Sequence, residues 1–522
     1  MKNNAIILAA GLSSRFAPLS YDTPKGLLRV KDEILIERQI KQLVAGGGIS
    51  EIHIVVGYKK EQFEYLKEKY GVNIIYNPDY NTKNNFASLY HARKYLKNTY
   101  ILSSDNYLTI NPYKSIEEYS WYMGVYTDDY TKEWVMSEDE NGYINNVNIG
   151  GKNGYFMLGP AYFSDDFSKQ FIKILENAYG KDEFSDYYWE DLFVKNLDIL
   201  KMRIKKVSNN DIYEFDSLEE LRDFDDKYKY NSENLYIKTI AKVFDVQEYQ
   251  IINFKTLDKG LTNKSFYFEI DSEKYIFRIP GQGTNKFINR LDEYKIYQAI
   301  RHLNIDDNPI YFDPDSGMKI AKFITNARVA NPRNDKDLDA CMKLERILHN
   351  ANIQVENEFD FREKIFSYEK LCREYNVDFI KDYEQTKQDI YKLINILDSM
   401  NNPKCLTHMD TLGDNFLFAD EKCILIDWEY AGMCDPLAEL GQFVLYAYFD
   451  KTQVDDLSFR YLQREPNNKE RFRIYSYIAL GGFLWYLWAM IQISNGASFY
   501  DYANKQYEYA KEFYKFAKQI KF

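Results

Sequence analysis

The sequence predicts an α/β domain followed by an α+β domain that has two lobes. Short apolar runs alternate with amphipathic stretches through the first half of the chain, which is the pattern of strand–helix–strand units. Near residues 228–233 the composition turns polar, and a short β-rich segment is then followed by a long helical one. The 522 residues also exceed the size at which a single hydrophobic core stops growing. We therefore expect two domains, residues 1–230 and 231–522.

The first half is assigned element by element from its hydrophobic periodicity. Strands are predicted where short apolar runs occur, and helices where apolar residues recur every three or four positions. The predicted strands are residues 5–11, 51–58, 72–77 and 99–108, and the predicted helices are residues 34–47, 59–71 and 86–96. This alternation predicts a mostly parallel sheet with ligands at the carboxyl ends of its strands, where Gly11 and Asp105 fall.

The second half begins with β runs at residues 250–270 and 274–281. Beyond Asn289 the pattern is mainly helical, apart from a β-like stretch at residues 405–428. Residues 474–500 contain no charged side chain and are long enough to span a bilayer, but scattered polar residues and the lack of a basic flank favour a buried core helix. We expect no stable membrane insertion.

Composition excludes some classes of function. With 67 Lys and Arg against 79 Asp and Glu, the net charge of −12 argues against a general nucleic-acid-binding protein. Five cysteines without CxxC spacing indicate reduced thiols and a cytoplasmic location. Anionic substrates would then require a few well-placed cations.

A glycine turn follows the first strand in the segment LAAGLSSRFAPLSYDTPKGLL. Gly11 lets the backbone approach a phosphate, and Arg15 and Lys25 can neutralise a triphosphate. These residues resemble the signature LAAGxxxRxxPxxxxxPKxLL of the nucleotidyltransferase family. The resemblance implies a Rossmann-like domain over residues 1 to about 228, with Leu8, Ala10 and Gly11 at the nucleotide and Lys25 and Arg15 as catalytic residues.

Two carboxylates match the family's metal ligands. Asp105 follows the strand ILSSDNYL, and Asp216 lies in YEFDSLEEL. Together they can hold one Mg²⁺, which prefers oxygen ligands. The stretch NPDYNTKNNFASLYHAR resembles the branch that makes CDP-choline, which implies CTP as the nucleotide and places Asn85 and Ser88 near it. Helix capping by Asn84 or Asn85 is an equal alternative.

A second set of motifs lies in the later domain. His408, Asp410 and Asn415 form H-x-D-x4-N, and Asp427 follows in ILIDWEYAG. This is the layout of a phosphoryl-transfer site, in which Asp410 accepts a hydroxyl proton and Asn415 and Asp427 hold Mg²⁺ against ATP. His408 is expected to brace the loop.

The small lobe agrees with a kinase-like order. Arg278 and Glu293 are predicted to pair at the nucleotide, and DKGLTNKS stands where a phosphate loop would lie. GLTN, the strand arginine and IDWEYAG resemble the choline and ethanolamine kinases over residues 260–502. The resemblance implies a bilobal kinase-like domain of the choline kinase and aminoglycoside phosphotransferase type.

Aromatic residues can recognise a quaternary ammonium group, which has no N–H to donate. Trp485 and Trp488 lie on one side of a helix, Phe499 and Tyr502 follow, and together they match the choline kinase pattern. Glu429 either balances the substrate cation or braces the metal loop. For the first domain, a looser set is proposed for phosphocholine, with core packing as an equal alternative: Trp134, Tyr188, Trp189, Glu190 and Glu214.

The two resemblances together imply a bifunctional enzyme. Choline and ATP would give phosphocholine, and phosphocholine and CTP would give CDP-choline and pyrophosphate. One rival is a sugar-1-phosphate nucleotidyltransferase joined to a sugar, aminoglycoside or ethanolamine kinase. The other is a pseudoenzyme or binding scaffold that has lost one activity.

Overall fold

The protein is described from a computed structural model that covers residues 2–257, 263–281, 283–419 and 422–522. The chain divides into two compact units. One unit comprises Met1–Thr256 and Phe268–Ser272, and the other comprises Leu257–Tyr267 and Glu273–Phe522. The division lies after the expected boundary at residues 230 and 231, which we retain as a proposal for the limits of the functional domains.

The first unit contains strands and helices in alternation. Its strands are β1 (Asn4–Ala9), β2 (Arg29–Val30), β3 (Glu33–Ile34), β4 (Ile52–Val56), β5 (Asn73–Tyr76), β6 (Thr99–Ser103), β7 (Asn106–Leu108), β8 (Trp121–Thr127), β9 (Thr131–Glu138), β10 (Ile144–Gly151), β11 (Gly154–Phe163), β12 (Arg203–Val207) and β13 (Ile212–Glu214). Its helices are α1 (Leu19–Asp22), α2 (Leu35–Gly47), α3 (Tyr65–Tyr70), α4 (Asn85–Ala92), α5 (Asp165–Ala178), α6 (Trp189–Val194), α7 (Leu218–Phe224), α8 (Lys227–Tyr230) and α9 (Leu235–Phe244).

Within the described part of this unit, a nine-stranded sheet forms the centre. Its main path runs β10-β9-β11-β6-β1-β4-β5, and β8 joins β11 to β12. Strands β1, β4, β5 and β6 pair in parallel, whereas β8, β9, β10 and β11 pair with one another in antiparallel fashion where they are neighbours. The sheet is therefore mixed: the early strands pair in parallel as expected, and β12 also pairs in parallel with β8, but β8 to β11 do not follow the expectation. The difference arises because residues 121–163 connect through short turns, which permit hairpins but no crossovers.

The early strands bring two predicted site positions to one edge. Leu8 of β1 is in register with Ser103 of β6, and the two strands run parallel. The turns that carry Gly11 and Asp105 therefore follow neighbouring strands at the same edge, as the sequence predicted. Residues 99–108, predicted as one strand, form two, because a turn at residues 104 and 105 separates β6 from β7.

The boundary between the two units crosses strand β14 (Ile252–Leu257) after Thr256 and strand β15 (Lys264–Ile270) after Tyr267. The later strands are β16 (Glu273–Ile279), β17 (Tyr311–Phe312), β18 (Lys319–Lys322), β19 (Arg328–Val329), β20 (Cys405–Thr407), β21 (Phe416–Ala419), β22 (Lys422–Leu425) and β23 (Gly432–Cys434). The later helices are α10 (Arg290–Ile300), α11 (Asp335–His349), α12 (Phe361–Glu374), α13 (Tyr383–Ser399), α14 (Pro436–Ala447), α15 (Lys451–Leu462), α16 (Asn468–Ser494) and α17 (Tyr500–Gln519).

The second unit has the expected small β-rich part and larger helical part. β18 pairs antiparallel with both β16 and β17. The mainly helical pattern predicted beyond Asn289 is wrong for β17, β18 and β19. Pro309, Pro314 and Gly317 interrupt helical structure around β17 and β18, and β19 forms by pairing with β21. Among the described residues, α16 is the one helix long and apolar enough to cross a membrane, and 89% of its most apolar window is buried within the protein. It is the core helix that the sequence predicted.

Candidate active sites

The first group of candidate residues lies at the carboxyl ends of β1 and β6 and just after β13. Lys25 Nζ is 2.9 Å from Asp105 Oδ2 and 3.7 Å from Asp216 Oδ1. Arg15 Nη1 is 3.6 Å from Asp216 Oδ2. Two cations and two carboxylates from separate parts of the sequence therefore form one cluster.

The turn after β1 leaves backbone accessible beside this cluster. The Leu8 carbonyl accepts a hydrogen bond from the Ser104 N–H, and the Ala10 carbonyl accepts one from the Tyr58 N–H. A Cβ atom added to Gly11 would meet no other described residue within 4 Å. The strand end is thus fixed on both sides, while the space beside Gly11 is open to a phosphate.

The carboxylates of the first cluster fit a divalent cation. Asp105 Oδ1 is buried and has no hydrogen-bond partner among the described residues. Burial first, and then the charge of Asp105, raise the pKa of Glu214 to about 8. Burial alone would lower the pKa of Lys25, but the charge and hydrogen bond of Asp105 outweigh it and the pKa is raised.

A free carboxylate oxygen in a region rich in negative charge suits Mg²⁺, which Asp105 and Asp216 would hold. No set of three or more His, Cys, Asp or Glu side chains in the described ranges is arranged as a complete metal site. Nucleotide phosphates and water would therefore supply the other ligands.

Helix α4 carries Asn85 and Ser88, the two residues predicted to lie near the nucleotide, and their side chains have different surroundings. Asn84 caps the helix, with its side-chain oxygen accepting a hydrogen bond from the backbone N–H of Asn85. Asn85 Oδ1 accepts a hydrogen bond of 2.7 Å from the backbone N–H of Trp189. Ser88 is buried, and its hydroxyl accepts a hydrogen bond of 3.0 Å from Asn77. Asn85 is therefore tied to the start of α6, and Ser88 faces the interior of the domain.

Glu190 and Glu214 lie near a buried tyrosine. The Tyr122 hydroxyl donates a hydrogen bond of 3.2 Å to Glu190, which also accepts one of 3.5 Å from Asn85. Burial first, and then the charges of Glu190, Glu214 and Asp105, raise the pKa of Tyr122. This acidic region adjoins the metal carboxylates and is suited to a cationic group on the acceptor substrate.

The structure does not gather the three aromatic residues proposed for phosphocholine into one box. Trp189 is 3% exposed, stacks on Tyr122 and packs edge-on against Phe163. Tyr188 is exposed at the start of α6, and Trp134 is partly buried on β9. Among the described residues no ring contact joins Trp134 to Tyr188 or Trp189. Trp189 is thus a core residue in this arrangement.

The second group of candidate residues surrounds the loop after β20. Asn415 Nδ2 donates hydrogen bonds to the backbone carbonyl and to Oδ2 of Asp410, at 2.8 and 3.0 Å. His408 Nδ1 accepts a hydrogen bond from the backbone N–H of Asp410, and its Nε2 lies 3.0 Å from the Ile426 carbonyl. Burial lowers the pKa of His408, which favours the neutral ring that these two contacts require. His408 braces the loop in agreement with the prediction.

Glu439 is a loop contact that the sequence interpretation missed. Its Oε1 accepts hydrogen bonds from the backbone N–H groups of His408 and Met409, at 2.7 and 3.1 Å. Its Oε2 contacts His349. Met409 has a φ of 62°, a region that non-glycine residues rarely adopt. Glu439 therefore holds the backbone conformation that presents Asp410, and no motif spacing marks it.

Arg278 and Glu293 pair as predicted, next to Asp427. Arg278 Nη1 lies 2.6 Å from Glu293 Oε1 and 2.8 Å from Asp427 Oδ1. Burial first, and then the charges of Asp427 and Glu429, raise the pKa of Asp410 well above its ordinary value. The acidic surroundings of Asp410 fit a Mg²⁺ held by Asn415 and Asp427 against ATP phosphates. The predicted phosphate loop, residues 258–265, lies largely outside the described residues.

Five aromatic side chains form a cluster beside this loop, here called the aromatic cluster: Tyr430, Trp485, Trp488, Phe499 and Tyr502. Adjacent ring centroids are 5.4 to 6.4 Å apart, and the rings meet edge to face. Burial first, and then neighbouring groups that include Asp410, raise the pKa of Tyr430 and of Tyr502. The four predicted aromatic residues are therefore brought together near Asp410.

Further side-chain contacts fix Trp485 and Glu429 in this region. Tyr430 was not singled out from the sequence, although it lies within the IDWEYAG segment that was. The Trp485 indole N–H donates to Gln442 Oε1, which fixes that ring. Glu429 is buried and accepts hydrogen bonds from Arg290 and Asn263, at 3.0 and 3.2 Å. Its position corresponds to bracing of the metal loop, the second of the two roles foreseen for it.

Comparisons with known proteins match the two parts separately. Residues 5–106 match the family described as MobA-like NTP transferase domain, and residues 254–479 match choline/ethanolamine kinase. Choline-phosphate cytidylyltransferase of Streptococcus pneumoniae is 37% identical over 225 residues, which are 43% of this chain and 98% of that protein. The 2-aminoethylphosphonate cytidylyltransferase of Lancefieldella rimae is 36% identical over 233 residues, or 44% and 94% of the two chains.

A solved structure resembles the later part. The choline kinase LicA from Streptococcus pneumoniae covers 54% of this chain and 98% of its own, with 24% identity and a TM-score of 0.48. The match at 37% identity over nearly the whole of a cytidylyltransferase fixes the family of the first part, and the kinase match lies on the same polypeptide. The chain therefore belongs to the nucleotidyltransferase family that includes choline-phosphate cytidylyltransferase, and it carries on the same polypeptide a second domain that matches the choline/ethanolamine kinase family.

Proposed function

We propose that the chain phosphorylates choline with ATP at the second site and joins the phosphocholine to CTP at the first. The observation that carries the proposal is the aromatic cluster beside Asp410. Aromatic faces attract a trimethylated ammonium without needing a hydrogen-bond donor on it. Both nucleotides are cytosolic metabolites, so we propose a cytoplasmic enzyme.

At the second site, the choline hydroxyl would lie at Asp410, which is held by Asn415. Asp410 accepts the hydroxyl proton while the oxygen bonds to the γ-phosphorus of ATP, and the bond from that phosphorus to ADP breaks. Arg278 contributes positive charge near Asp427. When bound, Mg²⁺ would neutralise charge on the transferred phosphoryl group.

At the first site, a phosphate oxygen of phosphocholine would attack the α-phosphorus of CTP. The bond to the β-phosphate breaks, and pyrophosphate leaves with its charge near Lys25 and Arg15. The Gly11 turn supports this assignment, because it lets phosphate oxygens reach backbone N–H groups. No nucleophilic side chain is required.

A primary amine is the second candidate for the acceptor. The relative from Lancefieldella rimae is named for 2-aminoethylphosphonate, and the acidic region around Tyr122 suits an N–H donor as well as a quaternary cation. The first site would then accept phosphoethanolamine or 2-aminoethylphosphonate. Phosphoethanolamine differs from phosphocholine only in the cationic group, and 2-aminoethylphosphonate also has a C–P bond in place of the phosphate ester. In each case an oxygen on phosphorus attacks CTP, so the bond formed and the bond broken are of the same kind.

The test is product analysis by mass spectrometry for the wild type and two variants. Asp410→Ala should lose phosphocholine formation by a factor of about 10² to 10⁴ but still make CDP-choline from supplied phosphocholine. Lys25→Ala should make phosphocholine from choline and ATP but not CDP-choline. Circular dichroism of each variant checks that the chain is folded.

Competing acceptors are supplied in the same assay. Faster turnover of ethanolamine, a sugar or an aminoglycoside than of choline would identify that compound, and not choline, as the preferred kinase substrate. Faster use of 2-aminoethylphosphonate than of phosphocholine would favour the second candidate. Loss of both activities in a folded single-site variant would contradict the two-site proposal.

A further inference from the structure

Arg290, at the start of α10, is a buried cation that no motif identified. Its side chain is 3% exposed, and Nη1 donates hydrogen bonds to Glu293 Oε2 at 2.8 Å and to Glu429 Oε2 at 3.0 Å. Nη2 donates to the Thr284 hydroxyl at 2.9 Å. One guanidinium therefore joins α10 to the turn that follows Asp427.

These contacts extend the Arg278 pair into a chain of alternating charges. The order is Asp427, Arg278, Glu293, Arg290 and Glu429, with successive side-chain contacts of 2.8, 2.6, 2.8 and 3.0 Å. The Glu293 side chain is completely buried, and its two carboxylate oxygens contact different arginines, Oε1 contacting Arg278 and Oε2 contacting Arg290. The chain begins and ends on the same short turn, so the two arginines hold both of its carboxylates.

Gly317 makes room for this arrangement. A Cβ atom at Gly317 would lie 2.5 Å from Cδ of Arg290, and its φ of 75° is a conformation that side chains disfavour. The Gly317 carbonyl also accepts a hydrogen bond of 3.2 Å from Arg278 Nη2. The turn between β17 and β18 is thus shaped to admit both arginines.

We infer that Arg290 is a positioning residue of the kinase site, which fixes Glu429 and Glu293 so that Asp427 is presented to the metal–nucleotide complex. The inference rests on the proposed phosphoryl-transfer function of this unit. In this arrangement Glu429 pairs with Arg290, and the pair supports the turn that carries Asp427, here called the metal turn. The substrate cation is left to the aromatic cluster.

The physical reason is that buried carboxylates need compensating charge. Glu429 is 4% exposed and Glu293 is not exposed at all. Without Arg290, Glu429 keeps only the contact with Asn263, and Glu293 keeps only Arg278 among the contacts described. Arg278 would then be drawn toward Glu293, and the position of Asp427 would be less well defined.

The test measures metal binding without turnover. Mn²⁺ is titrated into the full chain with a β,γ-imido ATP analogue and followed by electron paramagnetic resonance, with Asp427→Asn as the background for sites elsewhere. Arg290→Gln should weaken Mn²⁺ binding about 10- to 100-fold, as removal of residues that orient metal ligands does. Arg290→Lys should recover part of the loss.

Two further variants make the result specific. Glu429→Gln, which keeps the side-chain shape, should weaken Mn²⁺ binding in the same way and leave the choline KM of the remaining activity within about twofold of the wild type. The matched control is Lys319→Gln, another buried small-lobe cation, which pairs with Asp307 and Tyr297 and should not change Mn²⁺ affinity.

The opposite results overturn the inference. Unchanged Mn²⁺ affinity in Arg290→Gln, or in Glu429→Gln where Arg290→Gln fails to fold, would show that the chain of charges does not position the metal turn. A large rise in choline KM in Glu429→Gln with normal Mn²⁺ affinity would indicate that Glu429 balances the charge of the substrate cation and does not support the metal turn. Failure of the wild type to phosphorylate choline would instead refute the proposed substrate, since the Mn²⁺ measurement does not use choline.

Discussion

Lys364 is a partly buried cation next to the aromatic cluster. Its Nζ lies 4.8 Å from the centroid of the Phe359 ring and 5.5 Å from that of Tyr430. Glu363, on the same helix, is the neighbouring charge that acts on Lys364. Burial lowers the pKa of Lys364 to about 8. It is therefore charged near pH 7 and largely neutral near pH 9.

The lowered pKa of Lys364 leads us to expect that choline binding depends on pH. Below about pH 8 the Lys364 ammonium repels a second cation at Tyr430, so the choline KM of the kinase should fall as the pH rises from 7 to 9. We expect a change of about fivefold, because solvent screens a partly buried charge. Initial rates at saturating ATP measure it, with KM separated from kcat because burial also raises the pKa of Asp410, and raises that of Glu429 to about 7.

Two substitutions at this residue separate its charge from its size. Lys364→Met should give a low choline KM at both pH values, and Lys364→Arg should give a high one at both. A KM that still falls with pH in Lys364→Met would exclude Lys364 as the group responsible.

Residues inside motifs were the ones that the sequence could predict. Lys25, Asp105 and Asp216 lie in contact, as the resemblance to the nucleotidyltransferase signature implied, and Asp105 follows a strand whose carboxyl end the sequence also predicted. Arg290 and Glu439 could not be found in this way. Their function depends on contacts between elements far apart in the chain, and a buried ion pair leaves no periodic pattern in a single sequence.

Helices α16 and α17 show how an element places the aromatic cluster. Gly482 of α16 faces the backbone of α17: an added Cβ atom would lie 2.6 Å from the Gln506 carbonyl oxygen and 2.9 Å from the Ala510 nitrogen. The two helices therefore approach closely, and the start of α17 brings Tyr502 to a ring-centroid distance of 6.3 Å from Trp488.

Gly482→Ala should force the two helices apart. Overpacking would lower the free energy of unfolding of this unit by about 1–3 kcal/mol, less the gain of about 1 kcal/mol from better helix propensity. Because Tyr502 would move away from Trp488, the choline KM should also rise, while cytidylyl transfer is unchanged. Urea unfolding and kinase kinetics measure the two effects.

Ser494→Ala, an exposed position on the same helix, is the matched control and should change neither quantity. Equal behaviour of the Gly482 and Ser494 variants would show that the close approach of α16 and α17 is not required.

Elements with one clear period were predicted well, and those that depend on partners were not. β1 and α2 have apolar patterns that specify both their type and their buried face. The two-residue strands β17 and β19 are too short to carry a period. The antiparallel pairs among β8 to β11 depend on which strands become neighbours in the sheet, and the alternation of strands and helices earlier in the chain does not indicate this.

At the scale of the whole molecule, each unit has its own hydrophobic core. Two buried clusters lie within residues 5–212, and a third, which includes α16, lies within residues 296–517. Every residue assigned to the first site falls in the first unit, and every residue assigned to the second falls in the second unit. Each proposed site is therefore drawn from the described residues of one folded unit, and in the proposed scheme phosphocholine passes from one reaction to the other.

This independence predicts complementation between separate chains. An equimolar mixture of Asp410→Ala and Lys25→Ala proteins should convert choline, ATP and CTP to CDP-choline, because phosphocholine made by the second protein can diffuse to the first. After a lag that shortens as protein concentration rises, the rate should rise to about that of the wild type, at the same concentration of each intact site, once phosphocholine has accumulated beyond the KM of the first site. Mass spectrometry of timed samples measures both.

Each variant alone is the control and should form no CDP-choline from choline. A mixture that makes phosphocholine but no CDP-choline, although Asp410→Ala uses added phosphocholine, would mean that the intermediate must pass between sites on the same chain.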